Sequence, residues 1–508
     1  MTETSNEGDQ PPLEMLPTGI AGLDVILKGG FLAGGIYIIQ GHPGAGKTIL
    51  GNQLCFNHVA AGGKALYVTL LAETHSRMLT HIRHLTFFDE AAIPQGIYYI
   101  SAFRILEEDG LRGLLDLLRR EVHTHKASVL VLDGLVAAQE AAESPREFRK
   151  FVHELQTQAG LADCTMFFLT SIDEQPPPPE HTMVDGIIEM AQQAYGRRAE
   201  RDLEIVKRRG AGYLRGRHSF RITDAGLVVF PRIETLLAKP TQEDHVEGSK
   251  VPTGIAQLDE MLGGGLPDNS TTMLIGPSGA GKTTTGLHFL GGANKDEPGL
   301  FFGLFETPAR LRVKARNLDL PIERLIDQGH VEVLWQPTTE GLLDEVGNRL
   351  MEAVRRRKVR RLYLDGFSGL EKLSPEPERL NRFIAALTLE LRSLGVTTIF
   401  TNEVDLIGPL AALPASGVSL RGTSDIAENI VLLRFVELRT RLYRMISVIK
   451  VRDGDFEPAM RGYVITKGGI AVDADAGRAE AILVEAAGQA GNRALPPSAA
   501  RSRRRREG

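Results

Sequence analysis

The sequence has few cysteines, no long hydrophobic run and no excess of positive charge, and each absence argues against a class of protein. Cys55 and Cys164 are the two cysteines in 508 residues, which indicates a reducing compartment and no structural zinc. No run of about 18 apolar residues occurs, so we expect no membrane span. The formal net charge of −5 argues against a broadly basic nucleic-acid binder. Since the N-terminal segment is polar and has no signal-peptide core, we expect a cytoplasmic protein.

What the sequence does contain is a long internal repeat. LPTGIAGLDVILKGGF at 16–31 reappears as VPTGIAQLDEMLGGGL at 251–266. Lys47 and Lys282 occupy matching places in two similar glycine-rich loops, 282 − 47 = 235 residues apart. A period of this length indicates two duplicated domains rather than the short units of a solenoid.

Within each copy, apolar strand patterns alternate with amphipathic helix patterns. Continuous apolar strands between helices predict a parallel sheet that is covered on both faces. The polar, proline-containing stretch between the copies is typical of a linker. We therefore predict a disordered N-terminus at 1–13, α/β domains at 14–232 and 250–473, a linker at 233–249, and a C-terminal tail with an arginine-rich end at 474–508.

Each copy carries a phosphate-loop pattern between a predicted strand and a predicted helix. Glycines let backbone N–H groups converge on phosphate oxygens, the lysine reaches the β- and γ-phosphates, and the hydroxyl of the next residue holds magnesium. The pattern predicts that ATP and Mg²⁺ bind in both copies, and we infer no other metal. The predicted nucleotide-binding residues are Gly41, Gly44, Ala45, Gly46, Lys47 and Thr48 in the first copy, and Gly276, Gly279, Ala280, Gly281, Lys282 and Thr283 in the second.

Acidic residues follow the predicted strands that neighbour each loop. Asp133 and Asp365 end hydrophobic strands and are predicted to join the loop threonines at Mg²⁺, although such an aspartate can also cap a turn. Glu73 and Glu306 are predicted to orient and deprotonate the attacking nucleophile, together with the loop lysines as the catalytic residues. The alternative is a helix-start glutamate, because helical sequence follows both residues and acidic residues favour that helix end.

Together, these features resemble the KaiC family, the two-domain branch of the RecA-like ATPases. The resemblance rests on the PTGI-x-x-LD openings, both phosphate loops, the strand-end glutamates, the LDG strands and two K-x-R hairpins, and it covers about residues 14–473. It implies two tandem RecA-like P-loop NTPase domains of the α/β class, each a mainly parallel sheet with helices on both faces.

The resemblance also implies assembly and activity. It implies ATP hydrolysis in a homo-hexameric ring that binds nucleotide between subunits. In such a ring, Lys207 and Arg209 of the first copy, and Lys450 and Arg452 of the second, act on the phosphates of the neighbouring subunit. Basic residues on a hairpin are alternatively a solvated sheet edge.

The sequence departs from the family pattern at two places. Clock-type members carry two adjacent glutamates at each strand end, whereas Ala72 and Phe305 replace the first of each pair here. If that first glutamate is the more important base, turnover is slow. The family's adjacent Ser-Thr autophosphorylation pair falls on Ser424 and Asp425, which makes Ser424 a candidate phosphosite and the second copy a candidate Ser/Thr autokinase. Ser424 is alternatively a helix N-cap.

We therefore predict an ATPase with a signalling or clock-like role and regulatory protein partners. One alternative is a non-hydrolysing scaffold that is switched by ATP. A RecA-type DNA motor is disfavoured, because the segments at 173–180 and 402–422 are proline-rich and acidic or mixed rather than basic. We expect neither nucleic acid nor a membrane as a partner.

Overall fold

The computed structural model describes residues 14–71, 75–172, 179–243, 248–374, 376–404, 426–452 and 454–493. The chain divides into two compact units, the first ending at Leu236 and the second beginning at Leu237. Within these described ranges, no helix combines the length and the apolar character needed to span a bilayer. The predicted domain limits stay predictions, and residues 1–13 lie outside the described part.

The first unit opens with a short two-stranded sheet and then forms a large sheet with flanking helices. Two 3₁₀ turns, Glu90–Ala92 and Pro179–Thr182, interrupt the connections. The elements are β1 (Met15–Leu16), α1 (Ala21–Ile26), β2 (Phe31–Leu32), β3 (Ile36–Gly41), α2 (Lys47–Ala60), β4 (Ala65–Thr69), α3 (His75–Ile82), β5 (Ile97–Ser101), α4 (Phe103–His125), β6 (Val129–Asp133), α5 (Leu135–Glu140), α6 (Pro145–Ala162), β7 (Thr165–Thr170), β8 (Gly186–Tyr195), β9 (Arg198–Arg208), β10 (Arg217–Thr223), β11 (Gly226–Phe230) and α7 (Ile233–Leu236).

The second unit repeats this arrangement. Its elements are β12 (Lys250–Val251), α8 (Ala256–Met261), β13 (Leu266–Pro267), β14 (Thr271–Gly276), α9 (Lys282–Gly291), β15 (Gly299–Gly303), α10 (Pro308–Asn317), α11 (Ile322–Asp327), β16 (Val331–Trp335), α12 (Leu343–Arg357), β17 (Arg361–Asp365), α13 (Phe367–Glu371), α14 (Pro377–Ser393), β18 (Thr397–Glu403), β19 (Asn429–Leu438), β20 (Arg441–Lys450), β21 (Arg461–Thr466), β22 (Gly469–Val472) and α15 (Gly477–Arg493).

Both large sheets have nine strands among the described residues, in the same spatial order. The first sheet runs β11-β10-β9-β8-β3-β7-β6-β4-β5, and the second runs β22-β21-β20-β19-β14-β18-β17-β15-β16. The six strands from β8 to β5 are parallel, and the hairpin strands β9 to β11 add to the sheet antiparallel. The equivalent second-unit strands pair in the same way. The predicted fold class is confirmed.

Alternation along the strands explains why helices cover both faces of the first sheet. Successive side chains of a strand point to opposite faces. On β3, Tyr37 and Ile39 pack in the same core as Leu50 of α2, whereas Ile36 and Ile38 pack with residues of α4 and α6 on the other face. The strand that ends in the phosphate loop is therefore buried on both sides, which holds the loop at a fixed place on the sheet edge.

Candidate functional site

Both phosphate loops connect the carboxyl end of a central parallel strand to the start of a helix. In the first unit the loop runs from β3 into α2, and in the second unit it runs from β14 into α9. The residue before each helix is a glycine with a left-handed backbone, Gly46 at φ 106° and Gly281 at φ 100°. Residues with a Cβ rarely adopt this conformation, so the glycines are required for the turn into the helix.

The glycines also leave room for a ligand and for the neighbouring strand. A Cβ on Gly44 or on Gly279 would meet no atom within 4 Å, so the face of each loop is open there. A Cβ on Gly41 would lie 2.2 Å from the carbonyl oxygen of Met190, because β8 passes close to the strand end. The loops therefore combine an open face with tight packing below it, as a phosphate cradle requires.

The loop lysines fold back onto their own loops. Lys47 Nζ donates to the carbonyl oxygens of Gly41 at 2.6 Å and His42 at 3.1 Å. Lys282 Nζ makes the equivalent bonds to Gly276 at 2.8 Å and Pro277 at 3.0 Å. Both ammonium groups thus lie over the loop, within reach of a phosphate bound there.

The predicted magnesium ligands lie together in both units. Thr48 Oγ1 donates to Asp133 Oδ2 at 3.3 Å, and Thr283 Oγ1 donates to Asp365 Oδ2 at 3.2 Å. The aspartates end β6 and β17, whose carboxyl ends share an edge with the loops. Hydroxyl and carboxylate oxygens are the hard ligands that Mg²⁺ prefers, and Mg²⁺ usually takes few protein ligands beside phosphate and water. The residues present therefore fit Mg·ATP.

Burial and neighbouring charges act on these groups in opposite directions. Burial lowers the pKa of the Lys47 ammonium, and the charge of Asp133 opposes that shift. Burial likewise lowers the pKa of Lys282, against the charges of Glu403 and Asp365. Burial raises the pKa of Asp365, and the hydrogen bond from Thr401 opposes this.

Different residues orient the aspartate in the two units. The hydroxyl of Tyr67, on β4, donates to Asp133 Oδ2 at 2.7 Å. Burial, with the adjacent Asp133 charge, raises the pKa of Tyr67 far above its usual value, so this hydroxyl stays a donor. In the second unit, Thr401 Oγ1, on β18, donates to Asp365 Oδ1 at 3.0 Å. Sequence reasoning missed both donors, because neither belongs to a motif.

Glu306 directly precedes the N-cap of α10. The cap is Thr307, whose side chain accepts from the backbone N–H of Arg310. The carboxylate of Glu306 instead pairs with Lys314, with Oε1 and Nζ 3.0 Å apart. Burial raises the pKa of Asp365, and the charge of Glu306 raises it further, so the two carboxylates interact electrostatically. Glu73 and Ser424 lie outside the described residues, and their predicted catalytic and phosphosite roles stay predictions. The alternative helix N-cap at Ser424 is wrong, because the following sequence forms strand β19 rather than a helix.

Three of the four K-x-R residues donate to backbone oxygens that lie just before β8 in the first unit or β19 in the second. Lys207 Nζ donates to the carbonyl oxygens of His181 at 2.7 Å and Thr182 at 3.1 Å, and Arg209 also donates to Thr182 O at 2.7 Å. In the second unit, Lys450 Nζ donates to the carbonyl oxygen of Ala427 at 2.9 Å.

The two arginines of these pairs are exposed. Arg209 follows the end of β9, and the Arg452 side chain is 57% exposed, 4.0 Å from Glu428. Both lysines and Arg209 are therefore engaged with backbone oxygens of their own chain, although both arginines are also exposed. Their predicted action on a neighbouring subunit stays a prediction.

Glu403 is a further acidic residue at the second loop that sequence reasoning missed. Its Oε2 lies 3.7 Å from Lys282 Nζ. It ends β18, the neighbour of β14 in the sheet. The sequence does show that Glu403 follows an apolar strand. Only the strand order shows that this strand end lies next to the phosphate loop.

A phosphate loop at a parallel strand end, a hydroxyl–carboxylate pair beside it and an antiparallel hairpin extension together define a RecA-like P-loop nucleotide-binding domain, present twice. A family model described as the KaiC ATPase matches residues 16–234 and again 251–477. The chain belongs to this family, which implies nucleotide binding, and the predicted family resemblance is confirmed.

Relatives with the same description match over nearly their whole length. The circadian clock oscillator protein KaiC of Picosynechococcus sp. is 24% identical over 489 residues, covering 92% of this chain and 91% of that one. The KaiC of Nostoc sp. is 25% identical over 471 residues, covering 90% and 88%. The KaiC 1 protein of Synechocystis sp. is 24% identical over 491 residues, covering 91% of each.

Proposed function

We propose that the protein hydrolyses ATP at both phosphate loops, with Mg²⁺ as cofactor. The observation that carries the proposal is the repeated hydroxyl–carboxylate pair, at 3.3 Å in the first unit and 3.2 Å in the second, beside an open phosphate loop. The chain is only 24% identical to its relatives, yet both of its copies have the same hydroxyl–carboxylate geometry, which supports the use of both sites.

Each residue of the second site has a distinct task in the proposed reaction. The backbone N–H groups of the loop and Lys282 hold the β- and γ-phosphates. Mg²⁺, when bound by Thr283 and Asp365, neutralises charge on the phosphate oxygens. Glu306 orients a water molecule for in-line attack on the γ-phosphorus and accepts its proton. Lys47, Thr48, Asp133 and Glu73 perform the same tasks at the first site.

The nucleotide-bridged hexameric ring belongs to the same proposal. The exposed Arg209 and Arg452 are supplied to the site of the next subunit, where a cation offsets the charge that develops on the γ-phosphate. In the proposed ring, the protein acts as a regulatory ATPase with a signalling or clock-like role and with regulatory protein partners.

Autophosphorylation at Ser424 is the second candidate activity, and it depends on the sequence resemblance. Asp425 occupies the second position of the family's Ser-Thr pair and carries one negative charge, less than the roughly −1.5 to −2 of a phosphate. Ser424 alone is therefore available for transfer, and any phosphate there would adjoin a permanent negative charge.

The proposal is tested with the full chain and the variants Lys47→Ala, Lys282→Ala and their double variant. A fluorescent ATP analogue counts the bound nucleotides per chain, and phosphate release measures turnover. We expect wild type to bind twice as many nucleotides as either single variant. The double variant should neither bind nor hydrolyse ATP.

The same samples separate the competing functions. Equal phosphate release by wild type and the double variant would exclude hydrolysis and favour the ATP-switched scaffold. Mass spectrometry after incubation with ATP tests Ser424 directly, with Ser424→Ala as the control. Turnover that DNA does not stimulate would discard the nucleic-acid motor.

A further inference from the structure

Lys314 engages the proposed base of the second site, although the proposed hydrolysis does not use this lysine. Its Nζ lies 3.0 Å from Glu306 Oε1, and the two side chains are 33% and 29% exposed. Lys314 lies in the second turn of α10, and Glu306 lies just before the N-cap of the same helix. The ion pair therefore ties the strand-end carboxylate to the body of the helix.

The second oxygen of the carboxylate is shielded from solvent. Glu306 Oε2 is buried and has no hydrogen-bond partner in the described part of the chain. The buried hydroxyl of Tyr363 also finds none among those residues, and burial, with the charges of Asp365 and Glu306, raises its pKa well above the usual value. A carboxylate oxygen without a partner is costly, so another contact must hold the side chain in this orientation. The ion pair with Lys314 is that contact.

In this orientation, Oε1 of Glu306 accepts from the Lys314 ammonium group, and Oε2 is enclosed by the protein. A general base must come within hydrogen-bond reach of the proton that it removes. Separation from Lys314 therefore frees Glu306 to face a nucleophile at the γ-phosphate.

The charge of Lys314 also reaches Asp365. Burial raises the pKa of Asp365 and the charge of Glu306 raises it further, whereas the charge of Lys314 opposes both. One lysine thus offsets the negative charge of both acids in the second site. With Mg²⁺ held at Asp365, the two carboxylates would have another source of positive charge.

We propose that Lys314 is a positioning residue that holds Glu306 in a resting orientation and thereby limits hydrolysis at the second site. The proposal rests on the ATPase function proposed above. The first unit has no lysine at the matching position: the buried Leu311 matches the buried Met78 (311 − 78 = 233), so Lys314 matches the exposed His81 (314 − 81 = 233).

The kinetic test uses Lys47→Ala protein, so that turnover reports the second site. In that background, Lys314→Gln should raise kcat about two- to fivefold, the factor expected from removing a partly exposed ion pair. KM and the affinity for a fluorescent ATP analogue should stay within about twofold. Lys314→Arg keeps the charge and should keep the wild-type kcat.

The matched control is Arg312→Gln, which removes one positive charge from the same helix. Arg312 pairs with Asp327 at 2.9 Å, so the control loses an ion pair elsewhere on α10. We expect no change in kcat. A second control adds Glu306→Gln. In this background, Lys314→Gln should have no further effect on turnover. If Lys314 has a merely structural role, Lys314→Gln would still change turnover there.

Labelling of carboxylates with a carbodiimide tests the resting orientation without turnover. Glu306 should react about two- to fivefold faster in Lys314→Gln than in wild type, and Arg312→Gln should match wild type. Unchanged labelling, or an unchanged or lower kcat, overturns the proposal. Faster labelling in a protein that shows no Lys282-dependent turnover supports the restraint and refutes the proposed hydrolysis instead.

Discussion

The two units have the same sheet order and nearly the same phosphate loop, but three matched positions beneath the loop are polar in the first unit and apolar in the second. In the first unit, Tyr99 donates to Asn52 Oδ1 at 2.8 Å, and Asn52 donates to the carbonyl oxygen of Thr48 at 2.8 Å. Tyr67 donates to Asp133 beside this chain of hydrogen bonds. The polar network therefore connects the loop threonine to a neighbouring strand.

The second unit fills the same positions with apolar side chains. By helix position and strand register, Leu287 replaces Asn52, Phe301 replaces Tyr67 and Val333 replaces Tyr99. The orienting donor to the aspartate comes instead from the opposite neighbour strand, as Thr401 on β18. The requirement that both copies retain is an oriented strand-end aspartate, whereas the residue that orients it differs.

The largest effect should come from exchanging the polarity of the two layers. Leu287→Asn would place an amide where the fully buried leucine packs, and we expect a loss of about 3–5 kcal/mol in the free energy of unfolding. Asn52→Leu leaves the Tyr99 hydroxyl without its acceptor and should cost about 1–3 kcal/mol. Urea unfolding of the full chain measures both, and a smaller loss for Leu287→Asn would show that the apolar layer is not required.

Removing the tyrosine hydroxyl at the first aspartate should have the next largest effect. Tyr67→Phe deletes a buried hydrogen bond to a carboxylate, worth about 1.5–3 kcal/mol, and should weaken Mg·ATP binding in the first unit only. Thr401→Val is the matched change in the second unit. Titration with a fluorescent ATP analogue separates the two sites. Tyr67→Phe is measured in the Lys282→Ala background, and Thr401→Val is measured in the Lys47→Ala background. Equal weakening of both sites by one variant would contradict separate orientation of the aspartates.

The smallest effect, of opposite sign, is expected at Tyr363. Its buried hydroxyl has no partner among the described residues, so Tyr363→Phe should be neutral or should stabilise by up to about 1 kcal/mol. Thermal unfolding of the full chain, beside Tyr67→Phe, gives the comparison directly. A clear destabilisation would mean that the hydroxyl bonds to water or to a residue outside the described ranges.

Much of the fold and part of the site could be predicted because the signals are local. The strand, glycine loop and helix of each phosphate site are adjacent in sequence, and the left-handed glycines mark the turn. The 235-residue repeat then showed that the whole domain is duplicated. Asp133 and Asp365 were recognisable because each ends an apolar strand, and parallel strands bring such ends to one edge.

Long-range contacts decided the rest. Tyr67, Thr401 and Glu403 carry no motif, and their proximity to the site follows from which strands are neighbours in the sheet. The segment Phe103–His125 holds two helical stretches, because Gly110, at φ 65° and ψ −158°, leaves the helical conformation between them.

By itself, the sequence determined the duplication, the two loops and the aspartates that end apolar strands, because backbone conformation and strand burial are encoded over a few residues. The tertiary structure alone showed that Lys314 pairs with Glu306 and that the two aspartates are oriented from opposite sides. Such contacts depend on where side chains meet after the strands and helices have packed, and no local pattern specifies that.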